Sequence, residues 1–159
     1  MSRRSRFRRS DDPPQLRLTP RDHKIIECIA QNRLLTRSQI QREFFGSDST
    51  ANFRLQKLWQ HGYIDRPERQ NQGGVTQDTL YTVTQRGLQL IEFATGTKPS
   101  RKTPSSANPN QIEHDLALAD IRLQLERSAR ATSLTLTWQG EDAMRKKPFR
   151  VFVQSKTRS

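Results

Sequence analysis

The order of helical and extended patterns in this 159-residue chain predicts an α+β, mainly helical fold. Three observations carry that prediction. Capped amphipathic stretches occur three times in the first 62 residues. Two short runs of aromatic and β-branched residues then flank a polar loop with a Gly-Gly pair. Beyond a Pro/Ser/Thr-rich stretch lies a long helical pattern with two apolar faces, followed by residues that read as a short, truncated α/β segment.

Residues 1–15 come first. Five arginines precede Ser10 and "DDPPQ" follows, so the stretch reads as a disordered basic arm ending in a stiff Pro-Pro spacer. Its Arg3 and Arg4 are candidates for contact with a phosphate backbone or minor groove. "LTPRDHKIIECIAQNRLLT" reads as the first helix, with Thr19 as N-cap, Pro20 at the first helical position, and Ile25, Ile26 and Ile29 as one apolar stripe. Thr36 and Gln39 in "TRSQIQREFF" have the spacing of a capping box and open a second helix, in which Ile40, Phe44 and Phe45 face inward and which Gly46 stops. "SDST" caps a third helix, from about Thr50 to His61, with Gly62 as its left-handed terminator.

"YIDR" then predicts a strand cut off by Pro67, "ERQNQGGVTQD" a hairpin loop, and "TLYTV" the returning strand. Thr84 caps a fourth helix with Leu88, Ile91 and Phe93 as its apolar positions. Residues 97–110 read as a linker, and a fifth helix spans about 111–131. The fifth helix carries Ile112, Leu116, Ala119 and Leu123 on one side and Leu118, Ile121, Leu125 and Ala129 on the other. "SLTLTW" and "FRVFV" alternate as strands do. The expected organisation is an arm at 1–15, a domain at 16–96, the linker, and a smaller piece at 111–154.

Helix, helix, helix, strand, loop, strand, helix is the order of a winged helix-turn-helix, with the second and third helices as the turn motif and the hairpin as the wing. At about 100° per residue, Ala51, Leu55, Leu58 and Gly62 fall on one face of the third helix. The other faces carry Ser49, Thr50, Asn52, Phe53, Arg54, Gln56, Lys57 and Gln60. A surface helix is polar on its outside in any case. This one lacks acidic residues there and turns Phe53 outward, which favours contact with a duplex over mere solvation. Amides bond adenine edges, Arg bonds guanine, and Lys neutralises phosphate. In the wing, Arg66, Arg69, Gln70, Asn71 and Gln72 offer further donors, although such a loop is often only a solvated hairpin.

Charge points the same way. Twenty-eight Lys+Arg against sixteen Asp+Glu give +12, and a polyanion is the natural partner because binding it releases condensed counterions. The expected partner is double-stranded DNA. Hydrophobic residues make up 31% of the chain, so the core is small. Cys28 is the only cysteine and reads as a small buried hydrophobe, which excludes an internal disulfide and a cysteine-based zinc site. His23 and His61 are too isolated to suggest a metal site, and no cofactor is expected. No apolar run is long enough to span a membrane, so the expected location is the cytoplasm.

"LTPRDHKIIECIAQNRLLTRSQIQREFF", "RLQKLWQHGYIDR", "LYTVTQRGLQLI" and "HDLALADIRLQLER" followed by "WQGED" resemble the plasmid replication-relaxation family over roughly residues 16–145. The resemblance implies a winged-helix DNA-binding protein of bacterial mobile elements, linked to plasmid replication or relaxation. The expected function is thus sequence-selective duplex binding in that process or in transcriptional control of a mobile element. Members usually continue with a further acidic motif, often Pro-Asp-Ala. Here that region reads "KKPFRVFVQSKTRS", a departure that argues against an activity in the second half and leaves a truncated or a frame-shifted copy as the expectation.

The second half leaves alternatives open. The doubly apolar fifth helix needs two covers: the strands that follow on one side, and on the other either the winged-helix core or a second copy, the last making a homodimer through 111–131. His114, Asp115, Asp120, Glu126, Glu141 and Asp142 allow a remnant of a metal-dependent nuclease, which needs carboxylates converging on cations. Against that, acidic residues suit helix N-terminal turns, and Asp120 and Glu126 have arginines at pairing distance in sequence. No enzymatic activity is expected. A protein-interaction module is the remaining alternative.

Overall fold

The computed structural model describes residues 8–67, 78–97, 99 and 109–139. They form α1 (Pro20–Asn32), β1 (Leu34–Thr36), α2 (Arg37–Phe44), α3 (Asp48–Gln60), β2 (Ile64–Asp65), β3 (Leu80–Val83), α4 (Gln85–Thr95) and α5 (Pro109–Ala131). Mainly helical α+β architecture is thus observed. Residues up to Leu123 belong to one compact unit and those from Gln124 onward to a second, with the division inside α5.

Helix starts follow the capping chemistry. Thr19 accepts from the Asp22 amide, the Asp22 carboxylate accepts from the Thr19 amide, and Pro20 fills the first turn. Thr36 and Gln39 form the second reciprocal box, and Thr84 caps α4 by accepting from the Gly87 amide. Helix α3 begins two residues earlier than expected, because Ser47 is the cap. Gly62 has φ 73°, the left-handed value that lets the chain reverse from α3 into β2.

The sequence reading missed β1. "NRLLT" reads as the end of a helix, yet α1 stops at Asn32, Arg33 takes φ 66°, and Leu34, Leu35 and Thr36 pair antiparallel with Thr82, Tyr81 and Leu80. β2 pairs with the other edge of β3, giving the order β1-β3-β2. Side chains alternate across the central strand. Leu35, Tyr81 and Val83 join Ile25, Ile26, Ile29, Leu55, Leu58 and Ile64 in the main core. Leu34 and Leu80 face the other way, where Ile112 and Leu116 of α5 cover them.

Other differences follow from helix phase. Phe93 is 92% exposed, since it lies about 200° around the helix from the buried Ile91. Trp59, beside the expected Leu58, is buried as well. Cys28 is half-buried against the main core.

On α5, Ile112, Ala119 and Leu123 are buried and Leu116 partly so, while Leu118 and Ile121 of the opposite face are exposed. Polar ties fix the buried face. Arg42 donates to Asp120 at 2.7 Å, Gln39 Nε2 to the Leu116 carbonyl at 3.3 Å, and Arg122 to the Gln31 side chain at 2.9 Å.

In the second unit, α5 closes with Ser133 at φ 56° and the Leu134 amide donating to the Ala129 carbonyl. "SLTLTW" forms no strand there, because among the described residues nothing pairs with it. "FRVFV" lies outside the described residues. No described helix is long and apolar enough to cross a membrane.

Candidate nucleic-acid interface

Helix α3 is held by one face. Ala51, Leu55 and Leu58 are fully buried and Trp59 nearly so, each large side chain contributing roughly 1.5–3 kcal/mol to anchoring. What points away is therefore fixed. Ser49, Thr50, Asn52, Phe53 and Gln56 are exposed, and Phe53 is exposed by 61% despite its size. Ser49, Asn52, Phe53 and Gln56 follow the spacing of a single helical face.

The remaining candidates on α3 are engaged by the chain's own N-terminal segment. Residues 9–17 run antiparallel along the C-terminal half of the helix. Ser10 N–H donates to Gln60 Oε1 at 2.6 Å, Lys57 Nζ donates to the Gln15 carbonyl at 3.2 Å, and Arg54 Nη2 donates to the Arg17 carbonyl at 2.7 Å. His61 Nε2 lies 2.8 Å from the Pro14 carbonyl. Arg9 ties down the far end, donating to the Trp59 carbonyl at 2.7 Å and to Asp65 at 2.9 Å. The part of the expected arm that is described, from residue 8, thus lies on the domain through these bonds. Leu16 and Leu18 add apolar contact with the core.

Arg54 has a second commitment. Its Nε donates to Asp22 Oδ1 at 2.7 Å, and its Nη2 reaches Asp22 Oδ2. Asp22 is fully buried. Burial alone would raise its pKa, but hydrogen bonds from Arg54 and Thr19 outweigh that and hold it below the usual carboxylate value. The sequence reading placed Arg54 among the base-contacting residues. The structure places it in a half-buried ion pair instead.

At the base of the hairpin, the Arg66 guanidinium sits 4.4 Å from the Trp59 ring centroid and 5.3 Å from that of Tyr81, and Nη2 donates to the Tyr81 hydroxyl at 3.2 Å. Arg66 packs on those rings at the root of the hairpin. Arg3, Arg4, Arg69, Gln70, Asn71 and Gln72 lie outside the described residues.

Sequence reasoning overlooked the residue that joins the three parts of the site. Arg37, first in α2, donates to Asp48 at the start of α3 (2.9 Å) and to Asp78 just before β3 (3.2 Å). Asp78 also accepts from the Ser38 amide at 2.8 Å, capping α2 from across the chain. Burial would raise the Asp78 pKa, yet the Ser38 and Thr79 donors and Arg37 lower it overall. An arginine at a helix start, where the dipole disfavours it, was the available signal.

In the His-Asp pair of α5, the aspartate is tied to neighbouring side chains. Asp115 is buried, accepts from Arg33 at 3.3 Å and from Gln111 at 2.9 Å, and His114 stays half-exposed beside it. Among the described residues, no three His, Cys, Asp or Glu side chains are grouped to hold a metal ion. Glu141 and Asp142 lie outside them.

No curated protein and no solved structure matches the chain. The replication-relaxation family model matches residues 26–150, from the middle of α1 past α5. The match spans most of the sequence, including both the three-helix region and the His-Asp helix, and the chain belongs to the replication-relaxation family.

Proposed function

We propose that the chain binds double-stranded DNA with sequence selectivity as a winged helix-turn-helix, in the replication or relaxation of a mobile element. In this reading α2 and α3 are the turn motif, α3 lies in the major groove, and the β2–β3 hairpin is the wing. Family membership supports the process. One observation carries the binding mode: the exposed row Ser49, Asn52, Phe53 and Gln56 stands opposite the fully buried Ala51, Leu55 and Leu58. A net charge of +12 supports a polyanionic partner. The N-terminal arginines and the wing contact backbone or minor groove, and the protein acts by binding rather than catalysis.

The test is capture of fragments from the host plasmid by the full chain, followed by titration of a captured duplex at several salt concentrations. A steep loss of affinity with salt, and tighter binding to captured than to unrelated duplexes, is expected. Absence of salt-sensitive affinity would make the chain an interaction module instead. Cleavage of supercoiled plasmid with magnesium, lost in Glu141→Ala, would return the nuclease reading.

A further inference from the structure

Resting on that reading of α3, the geometry points to a base preference: we propose that α3 reads A·T pairs, with Phe53 against a thymine methyl group and Asn52 and Gln56 on adenine edges. The argument begins with what the helix withholds. Its only cations are Arg54 and Lys57. Guanine recognition in the major groove draws chiefly on such cations, because O6 and N7 both accept. Arg54 is spent on the buried Asp22 and on the Arg17 carbonyl. Lys57 donates to the Gln15 carbonyl and holds its ammonium 4.6 Å from the centroid of the Phe53 ring.

What the helix presents is one apolar ring beside two amides. Asn52 precedes Phe53 directly and Gln56 lies one turn on, all three exposed. A carboxamide matches the N6 donor and N7 acceptor of adenine, and an apolar ring matches the thymine C5-methyl. Phe53 remains 61% exposed. Ser49, a turn earlier, accepts or donates with any base and adds no preference.

The experiment selects binders for the full chain from random duplexes, then remakes the selected pool with uracil for every thymine. That exchange keeps pairing and removes only the methyl groups. Expected results are A·T enrichment at the central positions and about four-fold weaker binding of the uracil pool per contacted methyl. Phe53→Ala should bind the two pools equally, and Gln56→Ala should lose adenine enrichment at one position while keeping the thymine–uracil difference. Both side chains are exposed, so neither change threatens the fold. G·C-rich selected sites, equal wild-type binding to both pools, or full discrimination by Phe53→Ala would each overturn the inference while leaving DNA binding intact. Failure to bind any duplex at low salt would instead remove the DNA-binding reading and this inference with it.

Discussion

Arg54, on the helix proposed to read DNA, is paired with the fully buried carboxylate of Asp22, the residue that closes the capping box of α1. The pair joins α1 to α3, so a residue that looks like a base reader is a fastener for its own helix. Arg54→Ala leaves a buried charge unpaired and should cost on the order of 3–5 kcal/mol. Urea denaturation followed by circular dichroism measures it. An unchanged midpoint, with altered site preference instead, would return Arg54 to the DNA face.

The same pair sets a pH dependence. The folded-state pKa of Asp22 lies below 3.8, since burial, which would raise it, is outweighed by donation from Arg54 and Thr19. A carboxylate with a depressed folded pKa contributes stability above its unfolded value, and that stability is lost as pH falls through the folded one. Unfolding free energy should therefore decline as pH drops below about 4, and Asp22→Asn should be less stable at neutral pH with a shallower acid decline. Parallel acid curves for the two proteins would show that Asp22 contributes nothing to this slope. Asp78 adds a similar acid-sensitive contribution through Ser38, Thr79 and Arg37, so the decline is flattened in the variant rather than abolished.

Gly87 occupies the first turn of α4, where a Cβ would fall on the Tyr63 carbonyl oxygen and within 2.8 Å of Val83 Cγ1. The obstacle is backbone, so the helix itself would have to shift away from the sheet. Gly87→Ala should destabilise the fold by about 1–3 kcal/mol despite alanine's better helix propensity. A raised thermal midpoint would mean that α4 accommodates the methyl group.

These features show where sequence was informative. Thr19, Thr36, Thr84 and Gly62 act on backbone groups within a few residues, so their spacing announced the element ends. β1 has three residues and exists only through β3, more than forty residues later, with no glycine to mark the positive φ at Arg33. Arg54 and Asp22 lie on different helices, as do Arg37 and Asp48, and no local pattern links them. The outer row of α3 was legible because helical period fixes it once the buried leucines are known. Which of its cations remain available was not, since that depends on where residues 9–17 lie.

Gln56 and Lys57 should separate base reading from phosphate contact. Gln56 is exposed in the last position of the outer row, whereas Lys57 is half-buried at its edge. Gln56→Ala should reduce discrimination between selected and unrelated duplexes by about 1–3 kcal/mol. Lys57→Ala should weaken binding equally on all sequences and lower the salt slope by about one. Fluorescence anisotropy across a salt series reads both, and unchanged selectivity in Gln56→Ala would remove base readout by that residue.

The outer face of α5 offers the test of self-association. Its inner side is closed by the sheet and α2, but Leu118 and Ile121, one turn apart, remain exposed, the latter by 50%. A two-fold pairing of this face with a second copy would bury both and would present two α3 helices to successive major grooves. Ile121→Lys removes nothing from the folded monomer but places a charge at the centre of such an interface. The wild-type chain should sediment as a dimer at micromolar concentration and the variant as a monomer, with unchanged circular dichroism. Wild type that sediments as a monomer with and without a selected duplex would remove the dimer, while leaving the monomeric reading of α3 untouched.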